Sequence, residues 1–137
     1  KQFLIDISIK LNLDSRIIIT GTDDVGIYLS AADIFVSTSR TESFGLAILE
    51  ALFAGVPSVV TAVGAVPGIV GDAALLVSDS PEEIAVAIKQ VLTSEDSRLK
   101  LKNNAARITQ KWPTVNDIAE KTKKVYQMNL LKFNLHS

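Results

Sequence analysis

The sequence predicts an α/β fold in which a parallel sheet carries helices on both faces. Two observations point there. Apolar residues switch repeatedly between helical and strand spacing along the 137 residues. The strand-like runs are also continuous and β-branched, as in strands buried on both sides. Strands that alternate with helices pair in parallel, because each crossover helix returns the chain to the same end of the sheet.

The elements follow in order. Residues 1–13 place Phe3, Leu4, Ile7 and Leu11 at helical spacing. "RIIITG" (16–21) reads as a first strand, ended by Gly21. A short helix is expected over 25–32 and a second strand over 33–39, "DIFVSTS". Residues 46–54 are helical, and Gly55 supplies a C-terminal stop. "PSVVT" (57–61) is a third strand and "ALLV" (74–77) a fourth. Ser80-Pro81-Glu82-Glu83 opens a helix that runs to about residue 93, with a capping serine, proline in the first position and an acidic first turn. Two more helices are predicted over 96–110 and 114–133. Ligands of such folds bind beyond the carboxyl ends of the strands, which directs attention to 21–25, 37–44, 61–67 and 78–80.

Composition narrows the chemistry. A hydrophobic content of 47% supports one cored domain. The net charge of -1 gives no electrostatic ground for a nucleic-acid partner. Basic residues do gather late in the chain, from Arg98, Lys100 and Lys102 to Lys124 and Lys132. They read as a solvated helix face, with weak attraction to an anionic membrane as the alternative. With no cysteine, disulfides, thiolate chemistry and Cys-bound zinc are excluded. The single histidine, His136, is next to last, so the chain alone builds neither a histidine triad nor a histidine metal site. No bound metal is expected. Apolar runs are interrupted before ~20 residues accumulate, and no signal peptide is readable, so the expected location is cytoplasmic. The sequence opens on Lys1 rather than Met, as a piece of a longer protein would.

The stretch "TESFGLAILEAL" (41–52) raises the sharpest question. Glu50 stands in an otherwise apolar helix, where an unpaired buried carboxylate would cost several kcal/mol, on the order of 3–5. It must face water, a cation or a ligand. A narrow wet stripe and a salt bridge to Arg40 or Lys89 satisfy it as well as a ligand would. Glu42 precedes the same helix, where the macrodipole alone favours an acidic residue. Between the two, Ser43, Phe44, Gly45 and Leu46 offer backbone N–H groups at a helix start, an arrangement suited to phosphate oxygens. A diphosphate held there would bring Glu50 near one of its substituents and Glu42 near the other. Carboxylates accept paired hydrogen bonds, so both suit vicinal hydroxyls on sugars.

"STSRTESFGLAILEALFAGVPSVVT" resembles the signature of family-four glycosyltransferases of the GT-B fold. That signature is E-x7-E within a longer pattern, and Glu42, Phe44, Gly45, Leu46, Glu50, Ala51, Gly55 and Pro57 all match it. "LNLDSRIIITGT", "YLSAADIFVSTS", "AVGAVPGIVGDAALLV" and "KWPTVNDIAEKTKKVYQ" extend the likeness over nearly the whole chain. The resemblance implies a Rossmann-like sheet forming the C-terminal, donor-binding half of a two-domain enzyme, with residues 1–137 as that domain. It implies retaining transfer of a sugar from a nucleoside diphosphate, with no cofactor, to an acceptor glycan or lipid bound by a preceding N-terminal domain. Membrane association of the full-length protein is compatible with it. Glu50 would hold the ribose hydroxyls. Glu42, the catalytic candidate, would hold those of the transferred sugar. The amides of Phe44, Gly45 and Leu46 would take the diphosphate, with Ser43 beside them in the donor site; Thr22 in the loop 22–24 would lie near the base, and Gly64 and Ala65 would border the sugar. A non-catalytic nucleotide-sugar-binding or assembly module that needs a partner chain is the alternative, and a nucleotide-sugar epimerase fits less well.

Three departures bear on this. The family's third glutamate, in a G-G-x-P-E turn, falls on Gly68. The arginine and lysine that hold the diphosphate follow the family domain's first strand, which this chain does not match. The acceptor domain is unmatched too. In a strand order of 3-2-1-4-5-6, the strands expected here are the third to the sixth. The first two would lie between 16–20 and 33–37, and their absence would leave unpaired backbone in mid-sheet. The chain is therefore expected to be a piece of a longer protein. Otherwise it would close the gap, by pairing 16–20 beside 33–37 or by forming a homo-oligomer.

Overall fold

In the computed structural model, which describes residues 1–21 and 24–134, the apolar run of "PSVVT" becomes the middle strand of a sheet. Strands β1 (Phe35–Ser37), β2 (Ser58–Thr61) and β3 (Ala74–Val77) pair in parallel, in that order. Phe35 lies opposite Ser58, and Ser58 opposite Ala74. Every residue of β2 is buried, which explains why its sequence lacks the polar alternation of a half-exposed strand.

Because successive side chains point to opposite faces, β2 feeds two cores. Val60 joins Ile48, Leu49 and Leu52 of α3 (Leu46–Phe53), Val66 and Val70 of α4 (Val66–Val70), and Ala105 of α6 (Glu95–Thr109). Val59 joins Val77, Leu101 of α6, and Ala87 and Val91 of α5 (Pro81–Thr93). Helices thus cover both faces, as the sequence predicts. The remaining helices are α1 (Gln2–Lys10), α2 (Val25–Ala31) and α7 (Val115–Asn134).

Local signals set the helix ends. Gly55 follows α3 with φ of +69°. Its N–H donates to the Leu52 carbonyl at 3.0 Å, and the Val56 N–H reaches the Ala51 carbonyl at 2.9 Å. This paired pattern is a Schellman stop, and Val56 packs with Ala51 in a small third cluster. At α5 the Ser80 hydroxyl accepts the Glu83 N–H at 3.3 Å, and the Glu83 carboxylate accepts the Ser78 N–H at 3.0 Å.

Two features differ from expectation. The first is the strand read over 16–20: residues 17–20 belong to no ladder, and the sheet has three strands rather than four. Neither this segment nor any other described strand pairs with the outer edge of β1, so pairing 16–20 beside 33–37 does not occur. A strand needs a neighbour to accept and donate its hydrogen bonds, and among the described residues none adjoins this run. Its side chains instead split by parity. Ile17 and Ile19 line a cleft with Leu4 and Ile7 of α1 and with Leu11 just past its end, while Ile18 on the opposite side is 87% exposed. The second is α4, which the glycines and Pro67 of "AVGAVPGIVG" disguise. Pro67 sits within its first turn, where a missing N–H breaks no helical hydrogen bond.

The Ser80 cap generates a prediction. The Ser80 hydroxyl holds the Glu82 carboxyl below its ordinary value, and the Ser78 N–H does the same for Glu83. Between folded and ordinary values the unfolded chain binds more protons, so this stabilisation is complete above the ordinary carboxylate range and fades as pH falls through the lower folded values. Ser80→Ala should lower stability by about 1 kcal/mol at pH 7. Urea midpoints should show the gap to the unsubstituted protein narrowing below about pH 4.

Candidate functional site

The carboxyl ends of the three strands open onto residues 38–45, 62–65 and 78–80. The first of these holds the acidic motif. Its path into α3 is set by Gly45, the N-cap, which is buried and adopts φ of +79°, a conformation that few residues other than glycine hold. The Gly45 N–H donates to the Glu42 carboxylate at 3.0 Å. Glu42 is thereby half-buried at the start of α3, where the unpaired amides of a helix favour negative charge.

Glu50 lies on the other side of those amides, four residues into α3, or about 6 Å along its axis. Ile48, Leu49, Ala51 and Leu52 face the core, while Leu46, Ala47, Glu50 and Phe53 form the exposed stripe. Glu50 is therefore open to solvent and to ligands. Arg40, one of the two salt-bridge partners considered for it, pairs with Asp79 at 2.9 Å. No ion pair to Glu50 occurs among the described residues.

The second segment backs onto the first. Gly64 has φ of +54°, and a Cβ added to it would overlap the Glu42 carbonyl oxygen. Ala65 follows as the exposed N-cap of α4. The structure thus gathers Glu42, Ser43, Phe44, Gly45, Leu46, Gly64 and Ala65 at one edge, with Glu50 one turn along α3. Thr22 lies outside the described residues.

Three contacts of this loop have no counterpart in the sequence reading. The Thr61 hydroxyl donates to the Ser39 carbonyl at 2.6 Å. Arg40 reaches Asp79, as above. Phe44 stands edge-on to Trp112, with ring centroids 6.4 Å apart. Thr61 carries a faint signal, as a hydroxyl closing an apolar strand. Trp112 carries none, since nothing local ties the start of α3 to the junction of α6 and α7.

Comparison with known proteins decides the family. The glycosyl transferases group 1 family matches residues 1–108. The chain belongs to the group 1 glycosyltransferases. An uncharacterized glycosyltransferase of Methanocaldococcus jannaschii is 28% identical over 134 residues, covering 93% of this chain and 34% of that protein. Among solved structures, the sucrose-phosphate synthase of Thermosynechococcus elongatus superposes with a TM-score of 0.86 at 26% identity, over 96% of this chain and 34% of that one. Anabaena HepE in complex with UDP and glucose gives 0.80 at 23% identity, over 91% and 36%. The chain thus spans about a third of the length of the proteins it matches here. The fold is Rossmann-like and of the GT-B type. Among the described residues, no cluster of acidic or histidine side chains is placed to hold a metal ion, and no helix is long and apolar enough to cross a membrane.

The contact at Gly64 is testable. Gly64→Ala adds a clash with backbone to an unfavourable φ, whereas Gly55→Ala adds only the unfavourable φ, with open space around the new methyl. Urea denaturation should show Gly64→Ala costing about 2–3 kcal/mol and Gly55→Ala about 1.

Proposed function

We propose that this group 1 glycosyltransferase domain binds the nucleoside-diphosphate sugar of a retaining transfer, as the donor half of a two-domain enzyme. One observation carries the reading. Two carboxylates, Glu42 half-buried and Glu50 exposed, flank the amide-rich start of α3 at the carboxyl edge of a parallel sheet. That edge is where open α/β sheets take ligands, and HepE, similar in fold, is known with UDP and glucose bound.

The roles follow from chemistry. The amides of Phe44 and Leu46 face the diphosphate, while the Gly45 N–H is held by the Glu42 carboxylate. Glu50 accepts hydrogen bonds from the ribose hydroxyls and Glu42 from those of the sugar, with Gly64 and Ala65 bordering the sugar. When the bond from the anomeric carbon to the phosphate oxygen breaks, its electron pair stays on the diphosphate. Oriented amides and the positive end of α3 stabilise that charge without reorganising. The acceptor hydroxyl, glycan or lipid, comes from a second domain. By itself this chain binds donor weakly and transfers nothing.

Titration of UDP-glucose, GDP-mannose and ADP-glucose against the protein and its Glu50→Ala variant tests the site. The best-bound donor should weaken about 10- to 100-fold on losing the Glu50 hydrogen bonds. Equal binding by the two proteins would refute the ribose role.

A further inference from the structure

We infer that Thr61 is a positioning residue for Glu42, setting where its carboxylate stands; this rests on the reading of Glu42 as the sugar-side contact. β1 and β2 stay in register through the pair Ser37 and Val60. β2 then runs one residue further, with Thr61 opposite Val77 of β3, while the chain leaving β1 has lost its ladder. The Thr61 side chain takes the ladder's place. Its hydroxyl, on a residue only 1% exposed, donates to the Ser39 carbonyl at 2.6 Å. Three residues beyond Ser39 comes Glu42, and three beyond Thr61 comes Gly64, so close to Glu42 that an added Cβ would overlap its carbonyl oxygen. One hydrogen bond and one close approach, equally spaced, therefore set one segment against the other.

The loop's other attachments are weaker. In the Arg40–Asp79 pair the side chains are 85% and 46% exposed, and such surface pairs contribute little. Phe44 is itself half-exposed against Trp112. The Thr61 bond is the one whose loss strands a sheltered carbonyl without its donor. Released at Ser39, the loop no longer holds the Glu42 carboxylate on the Gly45 N–H.

Thr61→Val removes the hydroxyl at nearly constant volume, and Thr61→Ser keeps it. Amide hydrogen exchange by NMR should show Gly45 losing about tenfold in protection in Thr61→Val, with β2 and β3 amides unchanged, and recovering in Thr61→Ser. The best-bound of UDP-glucose, GDP-mannose and ADP-glucose should weaken about tenfold in Thr61→Val, while the matching nucleoside diphosphate alone changes little. A purely structural threonine would lower the urea midpoint yet leave the ratio of these two affinities, and Gly45 protection relative to β2, untouched. That result overturns the inference. Should Thr61→Val not fold, Thr61→Cys, a weaker donor of similar size, should shift both readouts the same way. If Gly45 responds but no donor binds the unsubstituted protein, positioning stands and the donor-site reading falls.

Discussion

Everything at the candidate site hangs on the burial of β2. Val59 and Val60 have no exposed surface and serve opposite cores, each contributing roughly 1.5–3 kcal/mol relative to exposure. That double burial fixes the strand in all directions at once. What leaves its carboxyl end inherits the precision. Thr61 directly follows the apolar pair and Gly64 comes three residues later; the first bonds the loop that carries Glu42 and the second lies close against it. α3 is fastened to the same strand through Ile48, Leu49 and Leu52. Both ends of the acidic motif therefore trace back to four residues in mid-sheet.

The electrostatics of the motif obey the same economy of parts. A helix start attracts negative charge, and in this chain the charge comes from within, through Glu42 on the Gly45 amide. Such an internal bond orders residues 42–45 without a ligand, which lowers the entropy that a ligand would otherwise have to supply. Glu50 is held differently: its backbone is rigid within α3, but its carboxylate lies in the open stripe. One carboxylate is preset and the other is free to adapt.

What could be read from the sequence was local. Ser80-Pro81-Glu82-Glu83 and Gly55 announced helix ends that the structure reproduces, because capping is decided within four residues. "PSVVT" gave a true strand buried on both sides, and "ALLV" gave one buried at its ends, with Leu76 exposed between them. "RIIITG" has an equally strong strand composition yet pairs with no described strand. Strand formation is a property of two segments, and one-dimensional pattern reports only one of them. The same limit hid the site's supports. Glu42, Gly45 and Glu50 stood out by their neighbours in sequence, whereas the Thr61 bond to Ser39 and the contact of Phe44 with Trp112 exist only after folding.

The unpaired run beside α1 has a colloidal consequence. Ile18 is almost wholly exposed, and β1 is bonded on one side only among the described strands. Two β-branched stretches with vacant backbone groups are templates for intermolecular pairing, whether with another copy or with any extended chain. Charges bracket both stretches: Asp14 and Arg16 precede the isoleucines, and Asp33 and Arg40 flank the segment containing β1. In that position charged residues act as gatekeepers, adding repulsion and hydration where stacking would start. Neutralising them would leave the buried core untouched while removing that repulsion and hydration from both stretches.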